Sequence, residues 1–240
     1  MQKLSALLIC SSIALLTSLD LKADTLAAWT FQTSASTNNI IGTGKTPAST
    51  QTGILADIGS GTASAFHATA GSVWSTPTGN GSSSSWSVNN WSAGDYYQFS
   101  LSTIGYTNLT LTYDQVGSST GPGRFYFAYS LDGSNFTISG ATNTVLVSGF
   151  SAGTTNSAAT FSYDLSAITS LANQSSVYFR VVDANTTSIG NGTVATAGTD
   201  RIDNFIVSGA LIPSAVPEPS MLVLATLGGM ACLVAVRRKH

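Results

Sequence analysis

The stretch Asn108-Leu109-Thr110-Leu111-Thr112-Tyr113-Asp114 alternates apolar and polar side chains by twos. In an extended chain successive side chains point to opposite faces, so Leu109, Leu111 and Tyr113 share one surface and Thr110, Thr112 and Asp114 the other. One surface suits a core and the other suits water, which is the pattern of an antiparallel sheet. Similar short runs rich in β-branched and aromatic residues lie on both sides, punctuated by Ser, Thr, Gly and Asn. They predict strands over Leu26–Gln32, Ala63–His67, Ser72–Ser75, Ser85–Val88, Asp95–Leu101, Arg124–Ser130, Thr144–Ser148, Thr160–Asp164, Val177–Asp183 and Ile202–Val207, besides Asn108–Asp114 itself.

Turn chemistry fits the same picture. Leu131-Asp132-Gly133-Ser134-Asn135-Phe136 places Asp-Gly between two strands and predicts a hairpin with glycine in the left-handed region. The one stretch with helical character is Ser166–Gln174, where Ser166 is placed to cap a turn or two. Ala35–Ser64 and Ser151–Ala158 are rich in Gly, Ser, Thr and Asn and are expected to be loops. With no long amphipathic helix, the body is expected to be all-β, an antiparallel β-sandwich of jelly-roll type.

Charge is scarce: 8% of the 240 residues are charged and 43% are hydrophobic, against about a quarter charged in an ordinary globular chain. Lys3, Lys22, Arg237, Arg238 and Lys239 belong to the two ends. The body keeps four bases (Lys45, Arg124, Arg180, Arg201) against nine aspartates (24, 57, 95, 114, 132, 164, 183, 200 and 203), a net charge of −5. Nothing resembles the basic stripe that neutralises phosphates, so no nucleic acid is expected as a partner. Cys10 and Cys232 both lie in terminal apolar runs, which leaves the body without thiols for disulfides or thiolate metal sites.

The ends read as addresses. Met1-Gln2-Lys3, an apolar run from Leu4 to Leu19, and a small residue at Ala23 form the pattern of a secretory signal peptide over residues 1–23, cleaved after Ala23. At the other end Val216-Pro217-Glu218-Pro219-Ser220 precedes sixteen mostly apolar residues, Met221–Val236, and then Arg237-Arg238-Lys239-His240. That run falls just short of the ~17–25 residues of a spanning helix, a gap that Ser220 and snorkelling arginines close. A single transmembrane helix is expected over about 220–236. Arg237, Arg238 and Lys239 would remain cytoplasmic and leave the body outside. Pro217 and Pro219 keep the preceding chain extended. Residues 24–210 are then the exported sandwich domain and residues 211–216 a linker.

Pro217-Glu218-Pro219, the apolar run and the terminal basic cluster together resemble the PEP-CTERM sorting domain, over about Ala215 to His240. The resemblance implies an exported protein recognised by exosortase, a membrane-embedded, cysteine-protease-like enzyme of Gram-negative bacteria that make exopolysaccharide and biofilm. It implies transient anchoring in the membrane, then delivery to the cell surface or extracellular matrix. Two patterns in the body are similar to exported sandwich domains, including carbohydrate-binding modules of galactose-binding-like shape. One is Tyr129-Ser130-Leu131-Asp132-Gly133-Ser134-Asn135-Phe136. The other is Phe179-Arg180-Val181 with Arg201-Ile202-Asp203-Asn204-Phe205-Ile206-Val207. These bear on fold rather than function.

Catalysis is poorly provisioned. The body holds one histidine, His67, and no glutamate, since the chain's one glutamate is Glu218. A Ser-His-Asp triad would have to run through His67, and no nucleophile motif stands beside it. No setting singles out a pair of aspartates for glycoside hydrolysis. No catalytic residue is therefore assigned. Oxygen donors cluster near the last strands as Asp183, Asp200, Asp203 and Asn204, a set chemically suited to calcium. The alternative is that Asp203 pairs with Arg180 or Arg201 and Asp183 simply ends a strand. Trp74, Trp86, Trp91, Tyr96 and Tyr97 are concentrated in one third of the body, and aromatic faces stack on sugar rings. Core packing is the alternative for most of them; of the neighbours Tyr96 and Tyr97, only one can point inward. The candidate glycan-binding residues are Trp86, Trp91, Tyr96 and Tyr97. The sequence thus favours a non-catalytic surface or exopolysaccharide-matrix protein. The alternatives are a carbohydrate-binding module that takes extracellular polysaccharide, with or without calcium, and a polysaccharide-active enzyme.

Overall fold

The structure is a computed structural model that describes residues 23–37, 50–147 and 149–213. The expected signal peptide up to residue 22, the Pro-Glu-Pro motif, the apolar run and the basic cluster lie outside the described residues, while Ala23, the expected cleavage residue, opens β1. Among the described residues no helix is long and apolar enough to cross a membrane.

Two sheets face each other. Fourteen strands contribute: β1 (Ala23–Trp29), β2 (Thr50–Leu55), β3 (Ile58–Gly59), β4 (Thr62–Phe66), β5 (Trp74–Ser75), β6 (Trp86–Asn89), β7 (Tyr96–Leu101), β8 (Tyr106–Gly117), β9 (Arg124–Ser130), β10 (Thr137–Thr144), β11 (Leu146–Val147), β12 (Thr160–Asp164), β13 (Val177–Asp183) and β14 (Thr199–Leu211). The first sheet has eight strands along the path β11-β8-β14-β1-β3, with β12 on β8, β6 on β14 and β5 on β6. The second has six, in the order β10-β9-β13-β7-β4-β2. Every pairing is antiparallel except the two-residue contact of β11 with β8.

Alternation explains why these segments pack as they do. In β7 the side chains of Tyr97, Phe99 and Leu101 are buried while Tyr96, Gln98 and Ser100 are not. The core forms where such faces meet across the sandwich: the Phe99 ring of β7 stacks on Phe205 of β14 at 3.6 Å between centroids. Trp29 packs edge-on against both rings, and its indole N–H donates to the Ile54 carbonyl at 3.1 Å. Burying rings of this size contributes on the order of 2–3 kcal/mol each.

Several expectations need revision. The expected loop Ala35–Ser64 contains β2 and β3 and the start of β4, and β3 leaves the β2–β4 connection to pair with β1 in the opposite sheet. Its Gly, Ser and Thr content hid an edge strand that gains its order from partners distant in sequence. The second strand of the expected Asp-Gly hairpin is β10, which pairs with β9 and runs to Thr144, where a separate strand was expected to begin; β8 and β14 extend well beyond their apolar centres because neighbouring strands satisfy their ends. The expected helical turns over Ser166–Gln174 reduce to one 3-10 turn, Thr169–Leu171, whose preceding residue is Ile168. Ser166 caps nothing there; its amide instead donates to Asp164 Oδ1 at 2.9 Å.

Candidate functional site

The predicted aromatic group divides between core and surface. Trp86 and Tyr97 are fully buried and Trp91 is 6% exposed. Trp86 packs on Tyr97 at 4.9 Å and on Trp74 at 5.6 Å, and Trp91 on Phe125 at 5.3 Å. None of these three offers a face to a ligand, which corrects the expectation for Trp86, Trp91 and Tyr97: their large apolar area is what joins the sheets. Tyr96, on the opposite side of β7, stands on the outer face of the six-stranded sheet.

Register builds that outer face in rows. Tyr96 lies between Phe66 of β4 and Val182 of β13, and Val182 in turn faces Tyr126 of β9. The next row is Ser64, Gln98, Arg180 and Ala128, and the one after is Thr62, Ser100, Tyr178 and Ser130. Phe66, 40% exposed, stacks on Tyr96 at 5.7 Å. Arg180 occupies the middle. Its guanidinium lies 3.8 Å from the Tyr96 ring centre and 3.7 Å from that of Phe136, and its Nε donates to Gln98 Oε1 at 2.8 Å. Burial of this half-exposed group pulls its pKa below the usual arginine value.

The Asp-Gly hairpin delivers Phe136 to that position. Ser130 Oγ accepts the amides of Asp132 and Gly133 and donates to Asp132 Oδ1. Asp132 accepts from the Ser134 and Asn135 amides and the Asn135 side chain. These hydrogen bonds hold its carboxyl well below the usual carboxylate range, those from Asn135 most of all. Gly133, at φ +73°, lies flat against Tyr178; a Cβ there would sit 3.1 Å from the ring. The turn therefore folds over the outer face of β13 and sets Phe136 against Arg180. Phe66, Phe136 and Arg180 were not singled out as ligand-binding residues in the sequence. The signal was present in the period-two alternation of β13, which separates Arg180 from the buried Phe179 and Val181.

The aspartates behave differently from the calcium expectation. Among the described residues no three or more acidic, histidine or cysteine side chains converge so as to hold a metal ion. Asp203 Oδ2 accepts from the Asn80 amide and Ser82 Oγ, and Oδ1 from the Asn204 amide. Both Asp200 oxygens face Gln115 Nε2 at 3.1 Å. Asp183 ends β13 and accepts from the Asn185 amide at 3.3 Å. Asp200 and Asp203 are served by protein donors at both oxygens, whereas Oδ2 of Asp183 is buried without one among the described residues, and the three do not converge on one point. Burial raises all three carboxyls, Asp183 and Asp203 to about 7. Neither Arg180 nor Arg201 pairs with Asp203; among the described residues the one contact of a carboxylate with a basic side chain within 4 Å is that of Asp95 with His67 Nδ1, at 3.7 Å.

His67 is fully buried between Trp74 and Trp91, and burial pushes its pKa down to about 4. Its Nδ1 lies 2.8 Å from Ser72 Oγ and is also the nitrogen that faces Asp95. A triad needs the serine and the carboxylate on opposite ring nitrogens, so this arrangement braces the core.

Comparison with known proteins bears chiefly on the tail. Residues 215–239 match the family model of the PEP-CTERM protein-sorting motif. Fold and tail together define a β-sandwich protein that carries a PEP-CTERM sorting segment. No curated protein matches the chain. Among solved structures, the chain is similar to the N-terminal CBM22-1-CBM22-2 tandem domain from Paenibacillus barcinonensis Xyn10C, at 10% identity and a TM-score of 0.42, over 85% of this chain and 50% of that one. It is also similar to the N-terminal cellulose-binding domain of Cellulomonas fimi β-1,4-glucanase C, at 15% identity and a TM-score of 0.31, over 54% of this chain and 80% of that one. A third is the mannan-recognising carbohydrate-binding module TmCBM27, at 12% identity and a TM-score of 0.34, over 78% of this chain and 98% of that one. The chain spans half the length of the Paenibacillus tandem.

Proposed function

We propose that this chain is an exported, non-catalytic protein of the cell surface or exopolysaccharide matrix, and that it holds polysaccharide on the outer face of its six-stranded sheet. The signal-peptide pattern and the PEP-CTERM segment support export, transient anchoring through the C-terminal helix and processing by an exosortase-like enzyme. The observation that carries the binding role is the half-exposed strip of Phe66, Tyr96, Arg180 and Phe136 on a broad sheet face. Sugar rings present an apolar side to such aromatic faces, and Gln98, Ser64 and Ser100 supply hydroxyl-seeking groups in adjoining rows. Against catalysis stand the burial of His67, Asp95, Asp183, Asp200 and Asp203, which no substrate reaches without opening the core.

Affinity electrophoresis of the full chain through gels containing soluble polysaccharides tests the binding role. Retardation that is lost in Tyr96→Ala and Phe66→Ala with unchanged melting supports it; the same retardation in wild type and both variants refutes this face as the site. Intact-mass analysis of protein from cells with and without the processing enzyme tests the sorting role. The mature form is expected to begin near Asp24 and to lack the segment beyond about Pro219.

A further inference from the structure

Charge on the outer face runs against the rest of the body. The strands β2, β4, β7, β9, β10 and β13 hold one acid, Asp183, which is 1% exposed and turned to the interior. They hold two bases, Arg124 and Arg180, both half-exposed. The nearby turn adds Asp132, whose oxygens are already taken by Ser130, Ser134 and Asn135. A body with nine aspartates against four bases had many acids to pair with these arginines, yet among the described residues neither arginine has one.

Arg180 is the more informative of the two. A guanidinium carries five N–H donors in a planar fork. Nε uses one on Gln98, and among the described residues Nη1 and Nη2 meet no acceptor. Tyr96 and Phe136 flank the cation, so it is held in place while the Nη edge is left for a ligand. That edge matches the two oxygens of a carboxylate in a bidentate pair. Beside it, Tyr96 has Arg180 over one face and Phe66 on the other, so the pair offers the sugar bearing that carboxylate the apolar rims of the two rings. Arg124 lies four residues along β9 from Ala128, the neighbour of Arg180, or roughly 14 Å at strand rise. Two cations at that separation suit a polymer with repeated charge better than a single small acid.

We infer that this face selects acidic polysaccharide, taking a uronate carboxylate on the Nη edge of Arg180 with its ring against the apolar rims of Tyr96 and Phe66. The inference rests on the glycan-binding reading above and deepens it.

The test is electrophoresis of the full chain, kept in detergent, through non-denaturing gels containing either polygalacturonate or the same polymer methyl-esterified. Esterification removes the charge and keeps the sugar rings, so the comparison needs no variant. Wild type is expected to bind the acid form about 10-fold or more tightly than the ester, the range of one charge-assisted pair. Arg180→Gln should erase that difference while retaining the weaker binding to the ester, and Arg180→Lys should restore only part of it. Equal retardation of wild type on both polymers overturns acid selectivity and leaves the glycan-binding reading in place. Retardation by neither polymer overturns both. An undiminished preference in a normally melting Arg180→Gln protein overturns the assignment to Arg180.

Discussion

Phe136 places the centre of its ring 3.7 Å from the Arg180 guanidinium, although one residue follows a tight turn and the other sits in mid-strand on β13. The contact depends on Gly133, which alone lets the turn lie flat on Tyr178. An exposed cation–π contact contributes about 0.5–1 kcal/mol, and more where water is excluded. Phe136→Ala is therefore expected to lower stability by about 1 kcal/mol. In a double-mutant cycle with Arg180→Ala, urea melts should show a coupling of about 0.5 kcal/mol or more; additivity would remove the contact as an organising feature.

Gly133→Ala should cost more than its size suggests. The left-handed φ of +73° disfavours a Cβ, and that Cβ would meet the Tyr178 ring at 3.1 Å. A loss of about 1–2 kcal/mol in chemical denaturation is expected, along with weaker polysaccharide retention as Phe136 leaves Arg180. Unchanged melting would show that the turn does not need this conformation.

Core and face should separate cleanly under substitution. Phe205→Ala removes a ring stacked on Phe99 and should cost about 3–5 kcal/mol. Tyr96→Ala should cost no more than about 1–2 kcal/mol while abolishing retention. Thermal melts and retention measured on the same samples check both, and a Tyr96→Ala protein as unstable as Phe205→Ala would return Tyr96 to the core.

Stability should fall as pH rises through neutrality. Burial raises the folded pKa values of Asp183 and Asp203 from 3.8 to about 7. The folded state therefore holds protons that the unfolded chain has released. Their stabilising contribution is full below about pH 4 and is lost as pH passes 7. His67 acts in the opposite sense between its folded value of about 4 and its ordinary 6.5, where the unfolded chain binds the extra proton. Above about pH 7.5 the histidine is neutral in both states; between about 6.5 and 7.5 it only partly offsets the slope set by the aspartates. The melting temperature is expected to drop by a few degrees between pH 6.5 and 8, about 1 kcal/mol, and Asp183→Asn should reduce that drop. A melting temperature that rises across this interval would contradict the burial of these carboxyls.

Chelation provides an independent check on the aspartates. Because Asp183, Asp200 and Asp203 do not converge on one point, EDTA is expected to leave the melting temperature unchanged. A fall of more than a few degrees, reversed by calcium, would reinstate them as an ion site.

Much of the architecture was legible because its signals are local. Arg124–Ser130, Thr160–Asp164 and Val177–Asp183 match observed strands residue for residue, since each run pairs β-rich composition with clear boundaries. Thr50–Leu55 and Thr137–Thr144 carry little such signal and become strands only through the neighbours that hydrogen-bond to them. The Asp-Gly turn was foreseen as a hairpin, but its approach to β13 was not, because the landing site is remote in the chain.

By itself the sequence determined a β-rich, sparsely charged body between two apolar ends that carry basic residues, for which composition and period-two patterning suffice. It also established that Tyr96 and Tyr97 must face opposite ways, because the side-chain period of a strand is two. Which of them faces the core is settled from outside its own strand, once Trp86 of the opposite sheet and Trp91 have packed against Tyr97. The isolation of Arg180 from the carboxylates among the described residues is likewise tertiary, since it depends on where the aspartates of other strands are carried when the two sheets close.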